Sequence, residues 1–215
     1  MNRSPKSREP LSSLVLYRCA KWSFITPLFT TYFRGRVHGL NKVPQSGPVV
    51  VVSNHGSYFD PPILSTCLCR PVSFMAKEEL FKVPGLKQII ELYGAYPVKR
   101  GAGDHGAIKA ALKSLRNGWM IGIFLEGTRT ADARINHPKL GAAMIAAKTQ
   151  APLLPVSLWG TEKILRKGSS LPRRVPLTIR IGDLISPPPS TRRQALEEKT
   201  EECTKVVNAL HAIGR

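Results

Sequence analysis

Three short polar clusters in this sequence carry the residue types of acid–base and phosphate chemistry. His55 stands five residues before Asp60, Lys99 adjoins Arg100, and Glu126, Gly127, Thr128 and Arg129 run consecutively. A carboxylate on one imidazole nitrogen fixes the tautomer and leaves the other nitrogen free to take a proton. His55 with Asp60 therefore has the outline of a general-base dyad. Arginine presents a planar fork that matches phosphate oxygens, which makes Arg129 a natural clamp. A base beside two cationic clusters suits deprotonation of a hydroxyl on a substrate that carries phosphate. Any one of these residues alone is more often structural or solvated, so the weight rests on their occurring together.

The surrounding elements explain why the clusters should meet. Val49 to Val52 is an apolar β-branched run, read as a buried strand, and His55 falls in the loop at its C-terminal end. Asp60 and Pro61 are expected as the N-cap and first residue of a helix. Further strands are expected over 71–77, 95–98, 119–125, 152–159 and 177–181, and Lys99 and Glu126 each follow one of them. Helices are expected over 78–93, over 104–117 with Asp104 as cap, and from Pro138 onward. A last helix should open with a capping box of Thr191 and Gln194 and carry Leu196, Thr200, Cys203, Val207 and Leu210 on its buried stripe. Strands alternating with helices describe an α/β layer structure, whose ligands gather at the C-terminal ends of the strands.

Other chemistries fit less well. Gly101–Gly106 matches GxGxxG, but Lys99, Arg100 and Pro97 spoil the apolar strand such a loop needs. Asp104 would also put a negative charge where a pyrophosphate should sit. No GxSxG is present, and no group of residues has metal-ligand spacing. Cys19, Cys67, Cys69 and Cys203 lack a CxxC and read as reduced thiols packed in the interior.

The chain has 215 residues, 42% of them hydrophobic, enough for one sizeable core. Its 32 Lys and Arg against 14 Asp and Glu give a formal charge of +18, which implies a polyanionic partner. Residues 1–36 are basic and aromatic. Trp22 to Phe33 is too short to span a bilayer, and the mixture of aromatics with long cations suits a helical segment lying among headgroups. The competing reading packs this segment on the domain's own core. A nucleic-acid-binding module is the remote alternative for the charge, without RNP aromatics, a recognition helix or a zinc knuckle to support it.

Taken together the motifs resemble a known family. Asn54 to Asp60 reads NHxxxxD, Gly94 to Arg100 is similar to a second block that ends in arginine, and Phe124 to Thr130 resembles Phe-Pro-Glu-Gly-Thr-Arg-Ser. Pro152 to Val156 is similar to a fourth, proline–valine block. In that order they resemble the glycerophospholipid acyltransferases, from about Val37 to Trp159, with Leu125, Thr130 and Pro97-Val98-Lys99 as departures. The resemblance implies a single three-layer α/β catalytic domain over 37–215. Its central sheet would be mixed but largely parallel and flanked by helices, with 1–36 as a membrane-docking helical segment. It implies that His55, oriented by Asp60, takes the proton of the sn-2 hydroxyl of a lysophospholipid. The oxygen then attacks a thioester of acyl carrier protein or coenzyme A in a ternary complex. Lys99, Arg100, Gly127, Thr128 and Arg129 would bind the acceptor's phosphate, Glu126 would orient Arg129 through an ion pair, and backbone amides near Gly127 are candidates for the oxyanion. No cofactor and no metal are expected beyond the acyl donor as co-substrate. The expected location is the cytoplasmic face of an anionic membrane. Within the same family, a glycolipid or aminolipid is the alternative acceptor.

Overall fold

A computed structural model describes residues 25–83, 95–98, 105–165 and 171–215, together with 15, 23, 85, 87, 88 and 90. Seven strands form one sheet: β1 (Arg36–His38), β2 (Val50–Ser53), β3 (Val72–Lys77), β4 (Tyr96–Val98), β5 (Met120–Phe124), β6 (Leu153–Trp159) and β7 (Thr178–Ile181). Their order across the sheet is β1-β7-β6-β2-β5-β3-β4. Strands β2 to β6 all run parallel, β7 lies antiparallel to β6, and β1 runs parallel to β7. The sheet is thus mixed and largely parallel, as expected from sequence. The N-terminal ends of β1 and β7 consequently share an edge with the C-terminal ends of the other five.

All four residues of β2 are buried, because layers cover both faces of the sheet. Val49 and Val51 join one core with Ile63 and Leu64 of α1 (Asp60–Cys67) and with Leu68, which caps it. Val50 and Val52 face the other core, built from α2 (His105–Arg116), α3 (Gly141–Thr149) and α4 (Arg193–Ala212). The period-two alternation of one strand therefore feeds both cores.

Several boundaries differ from expectation. Strand β1 had no counterpart in the sequence reading, since only Val37 of its three residues is apolar. Helix α3 starts at Gly141 rather than Pro138, because Lys139 donates its amide to Leu125 O and the His137 amide goes to Glu126. Helix α4 starts after an extended Arg192 with no side-chain cap, so Thr191 lies outside it and the capping box does not form. Its buried stripe ends on His211 rather than Leu210. Glu78–Lys82 is a 3-10 turn instead of the start of a long helix. Asp104 and the GxGxxG stretch from Gly101 to Gly103 lie outside the described residues.

The segment expected to dock on a membrane divides. Leu28–Tyr32 forms a π-helical turn, and Phe29 and Phe33 are buried in the core against which Tyr32 packs. Here the competing reading holds for those aromatics. Residues 1–14 lie outside the described residues. No helix among the described residues is long and apolar enough to cross a membrane.

At the far end of the sheet, Arg70 donates from Nη1 to Pro44 O and from Nη2 to Gly47 O, both at 2.9 Å, which ties down the turn before β2. The neighbouring Cys69 is exposed and adopts a left-handed backbone, φ 57°.

Candidate active site

The stretch between β2 and α1 is built around one carboxylate. Asp60 Oδ2 accepts three hydrogen bonds of 2.8 Å, from the amides of Gly56 and Ser57 and from His55 Nδ1. Asp60 is therefore the first residue of α1 rather than its N-cap, and its side chain reaches back into the loop instead of forward along the helix. Its side chain is fully buried, whereas that of His55 keeps 15% of its surface. With Nδ1 committed to Asp60, Nε2 is left with no hydrogen-bond partner among the described residues.

Four further contacts hold the imidazole and its loop. Its ring stacks on Phe124 at the end of β5, with centroids 3.9 Å apart and planes 11° from parallel. Phe124 is backed by Phe74 at 5.5 Å. Asn54, fully buried, donates from Nδ2 to Ala133 O and Leu158 O and accepts from the Leu158 amide, which clips the end of β2 to β6. Gly56 lies flat against the turn after β6, where an added Cβ would stand 3.0 Å from Glu162 N. The loop is thus gripped on both sides before any substrate arrives, which is what positioning a base requires.

The second cluster lies next to the first, because β5 pairs directly with β2 and Ser53 is opposite Phe124. The Thr130 amide donates to His55 O at 2.9 Å, and this bond brings the 126–130 loop against the dyad. Gly127, Thr128 and Arg129 are exposed there. Arg129 carries its guanidinium 3.5 Å above the ring of Tyr58, a residue of the His55–Asp60 loop. The expected Glu126–Arg129 ion pair does not form. Glu126 is buried, and its Oε2 accepts the amides of Asn136 and His137 at 2.9 Å each, so it closes the loop on itself. The amide of Gly127 donates to Phe124 O, which removes it as an oxyanion donor; the glycine answers to its φ of 71°. Lys99 and Arg100 lie outside the described residues. The strand before them, β4, points to this same end of the sheet.

His55, Asp60 and the Arg129 loop thus lie side by side, held by residues to which the motifs alone assign no part. Asn54, Tyr58 and Phe124 stood inside the recognised motifs without an assigned role. A buried amide after an apolar run and an aromatic two residues before the carboxylate were the available signals.

A model described as Acyltransferase matches residues 34–159. Among curated relatives, a chloroplastic 1-acyl-sn-glycerol-3-phosphate acyltransferase of Brassica napus is 33% identical over 161 residues, 71% of this chain and 46% of the relative. A 1-acyl-sn-glycerol-3-phosphate acyltransferase of Bacillus subtilis is 32% identical over 142 residues, 63% of this chain and 70% of the relative. This chain therefore spans less than half the length of the plant relative and 70% of the bacterial one. The crystal structure of the 1-acyl-sn-glycerophosphate acyltransferase PlsC from Thermotoga maritima superposes with a TM-score of 0.77 at 29% identity, covering 92% of this chain and 80% of that one. The motif order, the sheet and the matched span agree, and the chain belongs to the acyltransferase family.

Proposed function

We propose that this protein transfers an acyl group from a thioester to the sn-2 hydroxyl of 1-acylglycerol-3-phosphate, giving phosphatidic acid. One observation carries the reading: a slightly exposed imidazole whose Nδ1 is held by a buried carboxylate, beside an exposed arginine on the neighbouring strand end. The hydroxyl proton passes to His55 Nε2 while the oxygen bonds to the thioester carbonyl carbon. Collapse of the tetrahedral intermediate breaks the carbon–sulfur bond, and the proton passes from His55 to the departing sulfur. Base and acid are then one residue, and no acyl-enzyme is needed. Arg129, with Lys99, Arg100, Gly127 and Thr128, binds the acceptor phosphate; Glu126 supports this by shaping the loop. The donor is acyl carrier protein or acyl-coenzyme A, both anionic, and the +18 chain suits either as well as an anionic membrane surface.

The test is ester formation by purified His55→Ala with lysophosphatidate and each donor. General-base catalysis contributes on the order of 10²–10⁴ in rate, and the variant should lose that much. A wild-type rate in the variant would end the mechanism. Preference for a phosphate-free acceptor, such as a glycolipid, would redirect the reading within the family and remove Arg129's role.

A further inference from the structure

Beyond the dyad, the described surface carries a cleft of about 360 Å³ lined by Tyr32, Arg34, Arg174, Val175, Pro176 and Arg215. Its three arginines are exposed, and none pairs with a carboxylate among the described residues. Gathered guanidiniums repel one another unless an anion lies between them. Yet the cleft is held in shape. Tyr32 Oη donates to Pro172 O at 2.9 Å, and Arg215 Nη2 donates to Arg34 O at 3.2 Å. Arg34 also keeps a left-handed backbone, φ 48°, a conformation uncommon outside glycine.

Register fixes where the cleft opens. Trp159 at the end of β6 pairs with Thr178, and Thr178 pairs with Arg36, so residues 34 and 174–176 enter the sheet at its catalytic end. Strands lie about 4.8 Å apart, which puts β7 and β1 roughly 10–15 Å from β2 and its dyad. Two exposed leucines border the same segments. Leu28 is 38% exposed on the turn that carries Tyr32, and Leu171 is 76% exposed one residue before Pro172. Guanidiniums flanked by apolar side chains are the composition of a surface seated among headgroups.

We infer that this cleft binds the phosphate of an anionic phospholipid in the membrane that presents the acceptor, a second phosphate site apart from Arg129. It rests on the proposed function only for the kind of membrane; the arginine cleft itself is independent of it. One bound headgroup would hold the dyad's end of the sheet against the bilayer while acceptors exchange.

The experiment compares sedimentation with phosphatidylcholine vesicles with and without phosphatidate. The proteins are the wild type, the triple variant Arg34→Gln, Arg174→Gln, Arg215→Gln, and a charge-matched control, Arg116→Gln, Lys148→Gln, Arg192→Gln. A basic residue near an anionic surface contributes roughly fivefold in binding. The cleft variant should therefore lose about a hundredfold on phosphatidate vesicles, while the control loses at most a few fold. Equal losses in both variants, or none in the cleft variant, overturn the inference. Equal binding of the wild type to vesicles with and without phosphatidate, with inorganic phosphate bound by the wild type and not by the cleft variant, would assign the cleft to a soluble phosphate and overturn the lipid. Failure of the wild type to acylate lysophosphatidate would remove the proposed function and leave the vesicle result standing.

Discussion

Tyr58 and Arg129 come from different loops, and their contact joins a side chain of the dyad's loop to a side chain of the arginine loop. A guanidinium over an exposed aromatic ring gains about 0.5–1 kcal/mol. Tyr58 is 68% exposed, so the contact belongs at the low end of what such pairs achieve. It nevertheless holds Arg129 over the loop, where no carboxylate does. Tyr58→Ala should raise the acceptor KM about two- to fivefold with kcat nearly unchanged, and Tyr58→Phe should restore it. A fall in kcat at constant KM would show that the ring acts on the base instead. Glu126 teaches the complementary lesson. An acid three residues from an arginine invites an ion pair on paper, but two backbone amides claim it first, and charge-assisted bonds to buried amides outweigh an exposed pair.

Strand β5 carries the site's finest tolerance. Gly122 leaves room for the ring of Phe74, which sits against the position a Cβ would take, and Phe74 stacks on Phe124, which stacks on His55. A methyl at 122 must displace the Phe74 ring at the base of this column. Gly122→Ala should cost about 1–3 kcal/mol, a fall of roughly 2–12 °C in Tm, and should lower kcat more than a surface mutation of equal cost. Thermal denaturation together with steady-state rates checks both halves. The column also marks what the sequence could and could not convey. Val49–Val52 announced a doubly covered strand because four apolar residues in a row need two layers, and His55 and Asp60 were legible because their spacing implies a junction. Three-residue β1 was not, since Arg36 and His38 are exposed and its pairing with β7 is fixed by neighbours distant in the chain. Helix α3 misled for a related reason. Proline at 138 offers a local start, but hydrogen bonds from residues 137 and 139 to the end of β5 decide the path.

At the scale of the molecule, the catalytic end gathers charge of both signs around one buried imidazole. His211 of α4 is 8% exposed, and its Nε2 has no hydrogen-bond partner among the described residues. Burial pulls its pKa below the ordinary 6.5; Glu162 and Asp132 oppose that shift, while Arg134 and Lys163 reinforce it. The unfolded chain then binds this proton more readily than the folded one, so its contribution to stability is whole above pH 6.5 and is lost as the pH falls below it. The Tm of the wild type should drop between about pH 7 and pH 5.5, and His211→Phe should flatten that slope; parallel slopes would assign the acid loss elsewhere. At the opposite pole stands Cys69, exposed beside the Arg70 staple, while Cys67 and Cys203 are buried and burial pushes the Cys203 thiol up to about 12. With Cys19 changed to serine, a maleimide dye should couple at Cys69 alone. Such a label would leave the opposite end of the sheet unobstructed, so that the molecule could be tethered to glass with the His55–Asp60 loop facing solution.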